Sequence, residues 1–188
     1  KSDYVIVVPR NAPPATRRGA QELVQHIKLM SGAELKIVDD ATPAPAHAIV
    51  LGVEPPSDKP EASPQPPLGA DGFVIRSVGD RVYIAGPGAR GTMYGCSAFL
   101  ESIGVRWFTP TVTSAPAKPT ITLAPINVRE VPAFEYREPF FAEAFGKDWA
   151  ARLRLNGNTP PLDESTGGKV SYAEFAHTFE SLIPPTLF

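Results

Sequence analysis

A glycine-rich turn, an amphipathic helix and a short aromatic strand follow one another without interruption in residues 90–110. The turn is Arg90-Gly91-Thr92-Met93-Tyr94-Gly95, the helix runs on through Phe99-Leu100-Glu101, and Gly104-Val105-Arg106-Trp107-Phe108-Thr109-Pro110 closes the unit. A helix predicted over about residues 90–103 turns Cys96, Phe99, Leu100 and Ile103 inward, and Gly104 stops it. A one-faced helix set between strands has to bury that face on a sheet. The unit therefore points to an α/β domain with helices packed on strands.

The preceding segments supply the other layers. Residues 4–8 are a β-rich apolar run ended by Pro9, which reads as a buried strand. Asn11-Ala12-Pro13-Pro14 leads into a first helix, where Ala20, Leu23, Val24, Ile27 and Met30 recur at helical spacing. His26 falls on the polar side of that pattern, and Ser31-Gly32 closes it. Residues 34–38 alternate like a half-exposed strand, and residues 48–53 form another buried one. Residues 71–78 and 81–85, separated by Gly79-Asp80, carry a strong tight-hairpin signal. Residues 105–108 return as a short strand, and Thr120-Ile121-Thr122-Leu123 is an edge-strand candidate.

Beyond a Pro/Ala/Thr/Ser-rich stretch at 111–125 the pattern restarts, which places a domain boundary there. Residues 133–137 read as a fresh strand. Residues 148–155 are a helix candidate with Trp149 and Leu153 inward. A polar loop at 163–169 precedes a helical pattern at 171–183, whose apolar set is Phe175, Phe179, Leu182 and Ile183.

Composition narrows the function classes. The 22 prolines exceed what helices and central strands accept, so they belong mainly to loops and element starts. Six of them lie in residues 54–68, predicted to be an exposed, irregular or polyproline-like loop. The formal net charge of −2 gives no pull toward nucleic acid or an anionic membrane, and no such partner is expected. No apolar run approaches the ~20 residues of a membrane span. Cys96 is the only cysteine, which excludes an intrachain disulfide and a cysteine-based zinc site; on an apolar helix face it reads as a small buried hydrophobe. His26, His47 and His177 form no ligand pattern, so no metal is expected. The chain opens at Lys1, without methionine, two residues before a strand, as in a mature protein whose signal peptide has been removed.

Gly86-Pro87-Gly88-Ala89-Arg90-Gly91 matches the G-x-G-x-x-G dinucleotide pattern between a strand and a helix. Three features oppose that use. The strand comes from a hairpin, Pro87 removes a backbone donor, and the next strand ends in Thr-Pro without an acidic residue for a ribose. The preferred reading is a sharp turn and close helix–sheet packing, with no cofactor. Arg90 opposes the dipole at its helix start, which calls for a carboxylate partner or an anionic ligand. General acid–base chemistry by side chains calls for suitably placed carboxylates. Glu135, Glu138, Glu143, Asp148, Asp163 and Glu164 are available in the second segment, and spacing singles out no pair. The catalytic residues stay unknown.

Several pieces, in order, carry a family resemblance. They are Val5-Ile6-Val7-Val8-Pro9, Ala20-Gln21-Glu22-Leu23, Met30-Ser31-Gly32-Ala33-Glu34-Leu35, Asp71-Gly72-Phe73-Val74-Ile75-Arg76, Val82-Tyr83-Ile84-Ala85-Gly86 and the 90–110 unit. The first two-thirds of the chain resembles the N-terminal domain of bacterial α-glucuronidases of glycoside hydrolase family 67, and the related small domain of β-N-acetylhexosaminidases. The second segment is similar to uncharacterised bacterial proteins in which this domain precedes a barrel-like region. Its matching pieces are Pro132-Ala133-Phe134-Glu135-Tyr136-Arg137, Asp148-Trp149-Ala150, Arg154-Leu155-Asn156-Gly157-Asn158 and His177-Thr178-Phe179.

The resemblance implies an α/β domain (α+β type), residues 1–125, with a mixed sheet of about five strands and two main helices. Residues 126–188 would be the truncated start of a (β/α) barrel. Residues 133–137 would be its first strand and residues 153–156 would lie near its second. Active sites form at the C-terminal ends of barrel strands, so Arg137, Glu138, Asn156 and His177, with Arg90, are the expected substrate-facing residues. A complete barrel needs ~250 residues, and the family's catalytic acids belong to a later part of it. The expected role is an accessory N-terminal region of a secreted or periplasmic bacterial glycoside hydrolase, with a carbohydrate substrate and a downstream catalytic barrel as partners. A carbohydrate-binding or interaction module, using Trp107, Phe108, Tyr136, Phe140, Phe141 and Trp149 as a stacking platform, is the alternative; Trp107 and Phe108 follow a helix stop and read as core.

Overall fold

The computed structural model describes residues 2–40, 45–56, 65–172, 178–184 and 186. Its strands are β1 (Val5–Val8), β2 (Lys36–Asp39), β3 (Ala48–Leu51), β4 (Phe73–Val78), β5 (Arg81–Ala85), β6 (Arg106–Trp107), β7 (Thr113–Ser114) and β8 (Asn127–Glu130). Six of them form one mixed sheet in the order β2-β1-β3-β5-β4-β8. β1, β2, β3 and β5 run parallel, whereas β4 is antiparallel to both β5 and β8. The mixed α/β class expected from the sequence is the one observed.

Alternation along the strands decides which side chains meet the helices α1 (Pro14–Ser31) and α2 (Gly91–Ser102). Ile6, Val8, Ile49, Leu51, Phe73, Ile75, Val82 and Ile84 share one core with Leu23, Ile27 and Met30 of α1 and Phe99 and Leu100 of α2. Val7, Ala48, Val50 and Tyr83 form a second cluster on the other face. α1 starts with proline at its first turn, where no N–H is missed. It ends at Gly32, whose φ of 74° lets its N–H reach the Lys28 carbonyl at 2.8 Å. Val78 pairs with Arg81 across Gly79-Asp80, the tight hairpin, with Gly79 at φ 57°. Cys96 is fully buried, and burial pushes its thiol well above the ordinary range, as suits a packing residue.

Several expectations shift. His26 is not on a polar face: it is 1% exposed, its Nδ1 lies 2.8 Å from the Glu22 carbonyl and its Nε2 accepts the indole N–H of Trp107 at 3.0 Å. The aromatic partner from 81 residues away makes that position interior. β6 does not join the main sheet but pairs with β7 in a separate ribbon. Trp107 is core, while Phe108 is 64% exposed, contrary to its reading as core, because the ribbon's alternation turns it outward.

The sixth strand is not residues 120–123. These lie between Pro119 and Pro125 without a ladder, and Ile121 and Leu123 pack on the core as plain side chains. β8 takes the edge beside β4 instead. Its ladder is prolonged by the N–H of Ser77 donating to the Ile126 carbonyl at 2.9 Å.

In the second segment, residues 133–137 run without a β-ladder. A 3-10 turn at Ala142–Phe145 leads into α3, Lys147–Arg152, shorter than the expected helix. Trp149, Ala150 and Ala151 of α3 are buried in the main core. Of the expected helix at 171–183, residues 173–177 lie outside the described residues, and α4 covers Phe179–Leu182. Phe179, Leu182 and Ile183 are exposed, not inward.

Candidate functional site

The polar residues singled out by sequence meet around one that was not. Asp71, 8% exposed, stands just before β4. Its Oδ1 accepts from Arg90 Nε at 2.6 Å, and its Oδ2 accepts from Arg137 Nη2 at 2.6 Å and Asn156 Nδ2 at 2.8 Å. Two guanidiniums and a carboxamide thus neutralise and hydrogen-bond one buried carboxylate, which is what makes its burial tolerable. Arg90, at the start of α2, finds the carboxylate its position called for, and its Nη1 also reaches the Gly167 carbonyl at 3.3 Å.

Arg137 and Asn156 are held by the backbone around them. Arg137 donates from Nε to the Arg154 carbonyl at 2.8 Å and from Nη1 to the Phe134 carbonyl at 2.7 Å. Asn156 is fully buried: its Oδ1 accepts the Arg137 N–H at 2.9 Å and its Nδ2 donates to the Glu135 carbonyl at 2.7 Å. Its carboxamide therefore takes the place a neighbouring strand would have beside residues 135–137. Tyr94 closes the floor, with the Arg137 guanidinium 5.7 Å from its ring centre and its hydroxyl donating to the Leu155 carbonyl at 3.0 Å. Burial first, and then the Asp71 charge, push the Tyr94 phenol up to about 12, so it stays a neutral donor.

Asn156 reaches this position through a strained turn. Arg154, at φ 61°, is the one non-glycine residue with positive φ among the described residues. That turn lets the Leu155 N–H bond back to the Ala150 carbonyl at 2.9 Å and the Arg154 N–H to that of Ala151 at 3.1 Å, closing α3. The Arg154 side chain is tethered to Glu101 of α2 at 2.5 Å.

Glu138 sits beside the cluster. It accepts from the Thr159 N–H at 2.6 Å, the Asn158 N–H at 3.2 Å and the Tyr136 hydroxyl. Partial burial raises its carboxyl, but these bonds outweigh it and hold the group below the usual carboxylate range. Its two oxygens are thus committed to backbone N–H groups and a phenol. Of the five residues expected to face substrate, Arg90, Arg137 and Asn156 converge on Asp71, Glu138 borders them, and His177 lies outside the described residues.

A second polar hub ties the same two segments together. Glu22 of α1 accepts from Arg152 Nε and Nη2 at 3.0 and 3.1 Å, and Arg18 at 3.4 Å joins it while also reaching Asp148 at 2.9 Å. Trp149 donates its indole N–H to the Trp107 carbonyl at 2.9 Å.

The G-x-G-x-x-G segment does not offer a phosphate cradle. A Cβ on Gly86 would lie 2.5 Å from the Gly72 carbonyl oxygen, one on Gly88 2.2 Å from that of Ala70, and one on Gly91 2.4 Å from that of Gly72. The glycines admit the loop before β4, whose backbone takes up the close approach a pyrophosphate would need. Among the described residues no cluster of His, Cys, Asp and Glu could hold a metal ion.

Sequence reasoning missed Asp71 and Glu22. Asp71 reads as the first residue of a predicted strand, and a glutamate inside a helix reads as a solvated charge. The available signal for Asp71 was the unbalanced cation at Arg90, which asked for a partner without naming it.

The fold has counterparts among carbohydrate-active proteins. A 4-O-methyl-α-glucuronidase of family GH115, with specificity for decorated arabinogalactans, superposes with a TM-score of 0.55 at 16% identity, covering 83% of this chain and 25% of that one. The N-acetyl-β-hexosaminidase of Streptomyces plicatus gives 0.52 at 18% identity, covering 81% and 29%. The GH20 β-N-acetylhexosaminidase of Streptomyces coelicolor A3(2) gives 0.52 at 19%, covering 82% and 29%. At these identities the likeness is one of fold, and the chain spans less than a third of each of those proteins. No curated relative matches the sequence. Residues 107–188 match a domain of unknown function, DUF4838. Residues 3–99, more than half of the chain, match the glycosyl hydrolase family 67 N-terminus, and the chain belongs to that family.

Proposed function

We propose that this chain is the accessory, non-catalytic N-terminal part of a longer bacterial glycoside hydrolase that works outside the cytoplasm on a polysaccharide or glycan. The observation that carries this reading is the state of the central cluster. Asp71, Arg90, Arg137 and Asn156 bond to one another and to backbone, and among the described residues no buried side-chain polar atom lacks a partner. General acid catalysis needs a carboxyl free to give its proton to the leaving oxygen. Asp71 is engaged by Arg90, Arg137 and Asn156, and Glu138 by the Thr159 and Asn158 N–H groups and the Tyr136 hydroxyl. The cluster suits a scaffold better than a catalytic centre.

The role follows from where the chain presents apolar surface. Phe134, Phe140 and Tyr172 of the second segment are exposed, whereas Phe73, Tyr94 and Phe99 of the sheet domain are buried. A barrel following this segment would cover the exposed rings, and the Asp71 cluster would hold residues 135–137 in place against the sheet domain. A guanidinium carries five N–H donors. Arg137 therefore has capacity to reach a sugar hydroxyl while keeping its bonds to Asp71 and to the Arg154 and Phe134 carbonyls.

The test is a comparison of the natural reading frame containing this sequence with residues 1–188 alone, on aryl glycosides and plant or bacterial polysaccharides. Hydrolysis by the long form and none by the short one is expected. Hydrolysis by residues 1–188 alone would overturn the reading, and tight polysaccharide binding by them without any downstream activity would replace it with a binding module.

A further inference from the structure

We propose that residues 131–172 form a strap that opens from the sheet domain as one cooperative unit, latched by Asp71, before the sheet itself unfolds. Among the described residues, no backbone–backbone hydrogen bond links residues 2–130 to residues 131–172. The bonds that do join them carry side chains. Arg137 and Asn156 reach Asp71, Tyr94 the Leu155 carbonyl, and Arg90 the Gly167 carbonyl. Arg152 reaches Glu22, Arg18 reaches Asp148, Arg154 reaches Glu101, and Trp149 the Trp107 carbonyl.

The strap's own backbone closes on itself. The Asn156 N–H donates to the Arg137 carbonyl at 3.3 Å, the Val170 N–H to the Asn156 carbonyl at 2.8 Å, and the Gly168 N–H to the Asp163 carbonyl at 2.7 Å. Those bonds survive if the strap lifts as a body. The β4–β8 ladder, ending at Glu130, also survives, so the line of separation falls after β8. Local opening follows units that are internally bonded, and here what must be broken on lifting is the set of side-chain links just named and the packing of Ala144, Trp149, Ala150, Ala151 and Leu162 on the main core.

Asp71 is the latch because three donors from three places converge on its two oxygens: Arg90 from the sheet domain, Arg137 and Asn156 from the strap. Without the carboxylate, two partly buried guanidiniums are left uncompensated, and the docked state loses the tie that joins the most donors. The apolar contacts of Trp149, Ala150 and Ala151 hold the other end, so release begins at Asp71 and completes as α3 leaves the core.

Native-state hydrogen exchange on the 188-residue chain in low, graded urea decides between one unit and two. In the wild type the amides of Arg137, Asn156 and Val170 should exchange through one shared opening with a smaller urea dependence than the amides of β1, β3 and β5. In Asp71→Asn the strap amides should exchange at least tenfold faster while the sheet amides keep their wild-type rates. A single opening shared by strap and sheet in the wild type would overturn the proposal. So would an Asp71→Asn variant that accelerates both regions alike, or neither. Should that variant not fold, the wild-type urea dependence alone still separates one unit from two.

Discussion

Residues 2–130 and residues 131–172 are held by different chemistry. The first region is built on parallel and antiparallel ladders with an alternating apolar face against two helices. The second has one helix of six residues, two 3-10 turns and no main-sheet strand, and it relies on side chains that bond to backbone. In the first region the periodic backbone satisfies itself and side chains supply packing. In the second, Asn156 and Arg137 replace absent ladder partners, so single polar side chains carry what a whole strand carries elsewhere. Stability in one molecule is thus spread over many weak, redundant contacts in one place and concentrated in a few specific ones in another.

That contrast can be broken from its strong side first. Phe99 of α2, 1% exposed, is part of the redundant core. Phe99→Ala should cost about 3–5 kcal/mol, lowering the midpoint of urea unfolding for both regions together. An effect confined to the second region would sink the distinction.

Asn156→Ala tests the concentrated side. It orphans the Arg137 N–H and the Glu135 carbonyl and removes a donor from Asp71. The expected loss is about 1–3 kcal/mol, read as faster proteolytic cleavage after residue 131 with circular dichroism of the sheet unchanged. Equal sensitivity of both regions would count against it.

The smallest effect belongs to an exposed ion pair. Lys147 first, and then Ser165, hold the Asp163 carboxyl down to about 2, from an ordinary 3.8. A carboxylate whose folded value is depressed adds stability above its unfolded value and loses it as pH falls through the folded one. Asp163→Asn keeps the capping oxygen that Ser165 uses and removes the charge together with the Oδ2 acceptor that Lys147 uses. Thermal melts at about pH 6, 3 and 2 should show a small wild-type advantage that fades across the window from 3.8 to about 2 and shrinks in high salt. An advantage that persists undiminished at the acid end would mean the charge is irrelevant.

Legibility follows the same division. The α1 stripe of Leu23, Ile27 and Met30, the Gly79 hairpin and the α2 unit are readable because period and turn chemistry are local. Residues 133–137 read as a strand from composition, yet the partner of Arg137 is one carboxamide 19 residues ahead, and nothing local announces that. His26 reads as surface because its interior position depends on Trp107. Arg90 stands out as a cation in need of a partner, while the partner, Asp71, reads as the first residue of a strand.

The amino-acid sequence by itself determined the mixed α/β class, the two packed helices, the buried fate of Cys96 and the packing use of the glycine turn, since each rests on periodicity, steric freedom or a missing N–H within a few residues. Only the tertiary structure decided that Asp71 joins both segments, that the Asn156 carboxamide stands in for a strand, and that residues 127–130 rather than 120–123 complete the sheet. Those outcomes depend on which distant groups arrive within hydrogen-bonding distance, and a pattern read along one chain does not contain that distance.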